Sequence, residues 1–133
     1  MNQYLLDTNI AIFYMKGKFN LDKKFETLSV DDCYISEITL AELKFGIAKS
    51  EQRERNTQVL EKFLTGVRVL PISEAVDLYA EEKARLQKMG MRLDDFDLLI
   101  GVTAVVHRLT LVTNNTKHFE RIGSIALEDW TIE

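Results

Sequence analysis

Short apolar runs alternate with longer stretches of helical period along this chain, and most of those runs end in a polar or turn-forming residue. Tyr4-Leu5-Leu6, Cys33-Tyr34-Ile35, Val67-Arg68-Val69-Leu70 and Thr110-Leu111-Val112 are too short for helices and are bounded as strands are. Adjacent parallel strands need a long crossover, usually a helix, whereas a tight turn suffices between antiparallel ones. The alternation therefore predicts an α/β domain with a mainly parallel central sheet.

Element by element, a first buried strand falls at Gln3–Leu6, a short helix at Asn9–Met15 stopped by Gly17, and a second helix at Leu21–Leu28. Cys33–Ile35 is a strand, and Ser36 can cap a helix running to about Lys49. Arg53–Leu64 is amphipathic, with Val59, Leu60, Phe63 and Leu64 at helical spacing. Val67–Leu70 forms a strand closed by Pro71, the only proline. Ser73 is read as the cap of a long helix that ends at Lys88, with Gly90 in the C′ position. Asp94 or Asp95 caps the next helix, Phe96–His107. Thr110–Val112 is a further strand, Asn114-Asn115 begins a loop or turn, and Ala126-Leu127 is a last edge strand before Trp130. No repeat, linker or low-complexity stretch divides residues 1–133, so one domain is expected.

An apolar share of 46% with no run near the ~20 residues of a membrane span argues against a membrane protein. The first residues carry no basic n-region, so no signal peptide is expected. Cys33 is the only cysteine; it excludes an internal disulfide, fits a reducing cytoplasm, and reads as a buried strand residue. A net charge of −4 argues weakly against nucleic acid as a partner, but the charge is uneven. Lys44, Lys49, Arg53, Arg55, Lys62 and Arg68 cluster against three glutamates between Leu43 and Arg68, and Lys83, Arg85, Lys88 and Arg92 precede Asp94. Two solvated helix faces would explain this, and so would a basic rim around an acidic pocket that takes a phosphodiester.

Three carboxylates stand where hydrocarbon is expected: Asp7 after Tyr4-Leu5-Leu6, Glu42 between Leu40-Ala41 and Leu43, and Asp97 before Leu98-Leu99-Ile100. An acid in such surroundings costs several kcal/mol unless it is compensated. Asp7 lies past the carboxyl end of the first strand, where ligands gather in open α/β sheets. Glu42 shares a helix face with Ile38, Phe45 and Gly46 and is expected to point inward, with Gly46 leaving space beside it. Asp97 opens a helix that is apolar almost all round, and Asp94 and Asp95 already satisfy the capping need, so a third acid there is surplus. Thr113, Asn114 and Asn115 close another strand with a hydroxyl and amides on the same edge as Asp7. Two carboxylates about 5 Å apart repel by on the order of 3 kcal/mol at an effective dielectric near 20. A shared Mg²⁺ or Mn²⁺, which prefers oxygen ligands, relieves that repulsion. Zinc is disfavoured, because Cys33 and the two histidines show no ligand spacing.

These segments together resemble a PIN-domain ribonuclease, of the VapC toxin type found in type II toxin–antitoxin pairs. The resemblance rests on Leu5-Leu6-Asp7-Thr8-Asn9, on Ile35 to Leu43 with Gly46, on Asp97 to Ala104, on Val112-Thr113-Asn114-Asn115 and on Phe119, in that order. It implies a three-layer α/β/α sandwich, Mg²⁺- or Mn²⁺-dependent RNA cleavage, a homodimer, and a cognate antitoxin that masks the site. By motif, Asp7, Glu42 and Asp97 match the family's acidic triad, with Asp7 and Asp97 as the direct metal ligands. Asn115 stands where many relatives carry a fourth acid, and can still hydrogen-bond a water. His118 stands where many carry Asp or Glu before the phenylalanine and is read as a surface residue; His107 is read as structural. The smaller negative count argues against two tightly held ions. The alternative is a non-catalytic module of the same fold that binds RNA or a protein. A receiver-like phospho-acceptor is disfavoured because Leu70-Pro71 ends its strand without a carboxylate, and an Asp-x-Asp phosphatase because Asn9 follows Asp7 at that spacing.

Overall fold

A computed structural model describes residues 2–132; the two terminal residues of the expected 1–133 domain lie outside the described residues. Five strands, β1 (Tyr4–Leu6), β2 (Cys33–Ser36), β3 (Arg68–Leu70), β4 (Thr110–Val112) and β5 (Ala126–Glu128), form one sheet in the order β3-β2-β1-β4-β5. Every pairing is parallel, with Leu6 opposite Val112 and Leu5 opposite Tyr34. The central strands β1, β2 and β4 are largely buried, whereas the edge strands β3 and β5 are mostly exposed or half-buried.

Successive strand residues point to opposite faces, and this splits the core in two. Leu6, Cys33, Ile35 and Val112 pack under α1 (Thr8–Met15), α2 (Leu21–Glu26), α3 (Glu37–Ala48) and α4 (Arg53–Leu64). Leu5 and Leu111 pack on the other face, with Leu86 of α5 (Val76–Lys88), Leu98, Ile100 and Val102 of α6 (Asp95–Val106), and Phe119 of α7 (Thr116–Phe119). This is the expected three-layer α/β/α arrangement. Cys33 is buried in the first cluster, and burial pushes its thiol up to about 11, which removes it as a nucleophile. Ile10 belongs to that cluster and Phe25 packs against it and on Tyr14 and Trp130, whereas Phe19 remains exposed. Among the described residues, no helix is long and apolar enough to cross a membrane.

Local signals act where the sequence places them. Ser36 accepts from the Ile38 amide to start α3, Asp94 accepts from the Phe96 amide to start α6, and Gly17 and Gly90 follow α1 and α5 with φ of +70° and +69°. Ser73 does not cap α5. Residues Ser73–Ala75 instead form a 3-10 turn leading into the helix, and the Ile72 amide before it is satisfied by Glu37 Oε1 of α3 at 2.8 Å. The Ala75 amide is taken by the Ile72 carbonyl at 2.9 Å, a backbone acceptor in place of the Ser73 hydroxyl. The loop or turn begun by Asn114-Asn115 leads into the short helix α7, whose four residues are too few to show a period.

Gly101 sits in the buried middle of α6, where an added Cβ would land on Ile122 Cδ1 and come within 3.5 Å of Phe119. Gly101→Ala should therefore lower stability by about 1–2 kcal/mol, since overpacking outweighs the ~1 kcal/mol gain in helix propensity. Urea denaturation tests this; an unchanged or raised midpoint would show that Ile122 simply gives way.

Candidate active site

The chain runs outward from β1 through β2 to β3, then returns to place β4 on the other side of β1. That reversal opens a crevice past the carboxyl ends of β1 and β4. Asp7 follows β1, with its amide on the Val112 carbonyl at 2.9 Å, and Thr113 follows β4. The ladder thus carries both residues to one edge, side by side.

Asp7 is 6% exposed. Its Oδ1 accepts from the Thr8 amide at 2.8 Å and its Oδ2 from the Thr113 hydroxyl at 2.9 Å. It therefore caps α1 from a position at the crevice edge. Burial pushes its carboxyl up to about 6, more than its hydrogen bonds pull it down, and the negative fields of Asp97 and Glu42 add to the rise. Three acids from three distant segments thus act on one locus.

Glu42 is half-buried, and its Oε1 accepts from the Thr8 hydroxyl at 2.6 Å. The Thr8 hydroxyl lies 3.0 Å from that of Thr39, which is fully buried one turn earlier on α3. A hydroxyl has one proton, so Thr39 donates to Thr8 and Thr8 donates to Glu42. The expected inward stripe on α3 needs correction: Phe45 is 64% exposed, and the buried line is Thr39 and Leu43. Glu42 sits at the margin of that line, turned to the crevice by Thr8. Gly46 does leave open space, and Glu42 and Gly46 share the wall of a cavity of about 570 Å³ with Arg55, Leu43 and Ile12.

Asp97 occupies the first turn of α6. Asp94 is used as the cap, and Asp95 accepts from Tyr79 at 2.8 Å and pairs with Lys83 at 2.9 Å. Asp97 bonds neither Tyr79 nor Lys83, and its Oδ2 meets His118 Nε2 at 3.2 Å. Burial raises its carboxyl, while the His118 hydrogen bond opposes the rise. His118, read from sequence as a surface residue, is thus a partner of a site carboxylate. No local pattern could reveal this, because the contact spans 21 residues. His107 caps the end of α6, as expected, with its Nε2 buried. Asn115 stands exposed at the rim, its backbone amide donating to the Thr113 hydroxyl at 3.1 Å.

The basic rim is only partly available. Arg85 is spent on Glu82, at 2.8 Å, and on the Arg121 carbonyl; Lys83 is paired with Asp95, and Arg68 with Asp31. Arg55 and Lys16 line the Glu42 cavity. Lys83 and Arg92 line a second cavity of about 700 Å³ between α5 and the start of α6, which touches none of the three acids.

Among the described residues, no group of three or more His, Cys, Asp or Glu side chains is drawn close enough to cage a metal ion by itself. The donor set nonetheless fits a hard cation. It is all carboxylate oxygen, it is electrostatically frustrated at Asp7, and Mg²⁺ commonly takes one or two protein carboxylates and keeps several waters.

This fold and site define a known class. The PIN domain model matches residues 4–125, and the chain belongs to the PIN domain family. Within it the similarity is to VapC proteins. The chain is 37% identical over 132 residues to the tRNA(fMet)-specific endonuclease VapC of Shigella flexneri, covering 98% of this chain and 100% of that one. It is also similar to the crystal structure of DNA-bound VapBC from Salmonella typhimurium, with a TM-score of 0.91, 36% identity, and 98% and 99% of the two chains covered. A toxin–antitoxin complex from Klebsiella pneumoniae matches with a TM-score of 0.66 and 31% identity over 93% of this chain and 96% of that one.

Proposed function

We propose that this chain is a divalent-metal-dependent endoribonuclease, the toxin of a VapC-type toxin–antitoxin pair, restrained by a cognate antitoxin. The observation that carries the reading is the convergence on Asp7: a buried carboxylate at the sheet's reversal point, its proton affinity raised by burial and by Asp97 and Glu42. The kinship with a VapC endonuclease and with VapBC and toxin–antitoxin complexes supports it. A homodimer and toxin–antitoxin hetero-oligomer, working in the cytoplasm, belong to the same reading.

Asp7 and Asp97 are the residues to hold Mg²⁺, with Mn²⁺ as a substitute and Glu42 as a third oxygen donor. When bound, the cation supplies an acidified water and offsets charge developing on phosphorus. Glu42, fixed by Thr8, orients the attacking water and accepts its proton. Asn115 offers an amide at the rim to that water or to a phosphate oxygen. Attack on phosphorus by water with departure of the 3′ oxygen leaves 5′-phosphate and 3′-hydroxyl ends.

The relative from Shigella flexneri is a tRNA(fMet)-specific endonuclease, which makes tRNA(fMet) the first substrate to try. Purified protein should cut RNA in Mg²⁺ or Mn²⁺, give those ends, and lose at least about a hundredfold in rate in excess EDTA. Cleavage that survives the chelator, or cyclic phosphate ends, would overturn the metal-dependent reading. Binding of RNA with no cutting under any cation would favour the non-catalytic module instead.

A further inference from the structure

The first turn of α6 and the short helix α7 are joined by one face. Asp97 and Gly101 are four residues apart and so lie one above the other on α6. The bare surface at Gly101 is where Phe119 and Ile122 pack, and Phe119 is 1% exposed. The preceding residue, His118, is thereby delivered to Asp97. Its ring stands edge-on to that of Phe119, with centroids 5.5 Å apart and planes at 84°, and its Nε2 comes 3.2 Å from Asp97 Oδ2. An ionised carboxylate can only accept, so His118 Nε2 carries the proton and donates it. No other side-chain hydrogen bond reaches Asp97 among the described residues.

We propose that His118 is a positioning residue for Asp97: its Nε2–H holds Oδ2, fixes the side chain's rotamer, and leaves Oδ1 for a divalent cation. The proposal rests on the functional reading above, since it assigns Asp97 to the cation. A donor at this place does what a further acid cannot. It restrains a carboxylate without adding negative charge to a locus where three acids already interact. Partners of this kind behind metal-binding carboxylates and histidines are typically worth 10–100-fold in metal affinity or activity.

The test is direct Mn²⁺ binding, followed by the loss of the free-ion EPR signal, in wild type and in His118→Gln, His118→Phe and His118→Ala. Gln keeps a donor near the Nε2 position, while Phe keeps the ring packing on Phe119 without any donor. Thermal unfolding of each variant confirms that the fold persists. We expect Phe and Ala to weaken Mn²⁺ binding about tenfold and Gln to restore it to within about threefold. A Phe variant that binds like wild type, or a Gln variant as weak as Phe, would overturn the positioning role while leaving the nuclease reading intact. A wild-type protein that binds no Mn²⁺ would overturn both.

Discussion

Asp7→Asn is expected to reduce RNA cleavage by at least about a hundredfold while making the metal-free protein more stable. The loss follows from removing one negative oxygen donor at the centre of the acidic locus, where a cation contributes several kcal/mol to stabilising the transition state. The gain follows from linkage. The folded Asp7 carboxyl has its proton affinity raised from 3.8 to about 6, chiefly by burial. Between about pH 4 and pH 6 the native protein therefore keeps a proton that the unfolded chain has released, and stability falls as pH rises through that window. Two units correspond to about 3 kcal/mol, lost in full above pH 6. Asn does not titrate, so the stability of Asp7→Asn relative to wild type should grow by up to about 3 kcal/mol between pH 4 and pH 7. Urea denaturation in EDTA at several pH values reads this difference directly. A variant that is both inactive and uniformly less stable would mean that Asp7 serves mainly as the cap of α1.

Phe119→Ala is expected to be the most damaging apolar truncation next to the site, at about 3–5 kcal/mol, which corresponds to a fall in Tm on the order of 15 °C. The ring is buried against Gly101 and the second core cluster, and α7 has only four residues with which to hold itself in place. Its loss should also free His118 from Asp97, so cleavage at a temperature where the variant is still folded should fall. Calorimetry with a parallel assay at low temperature checks both parts. A shift of only a few degrees would show that α7 is held by its turn rather than by Phe119.

Most of the fold was legible because burial on two faces demands continuous apolar strands, and Leu5-Leu6 and Leu111-Val112 satisfy that demand without ambiguity. The acids stood out for the converse reason: carboxylates beside such runs need a compensating partner, which Thr8 and Thr113 supply to Asp7 and Thr8 to Glu42. What the sequence could not show was direction. α3 carries Ile38, Leu40, Leu43, Phe45 and Ile47 on several sides, so its pattern does not choose an inward face. The choice is made by Thr39, a polar residue that is fully buried because its hydroxyl meets Thr8, and Phe45 is left outside as a result. His118 escaped for a related reason: its place is decided by Asp97, a partner 21 residues away in sequence.

If Asp7, Glu42 and Asp97 form one cation site, anomalous diffraction from a crystal soaked in Mn²⁺ will locate it. A single strong peak is expected in the crevice past β1 and β4, with oxygens of Asp7 and Asp97 at about 2.0–2.3 Å and Glu42 reached directly or through one water. A peak elsewhere, or no peak with the three carboxylates pointing apart, would contradict a shared site.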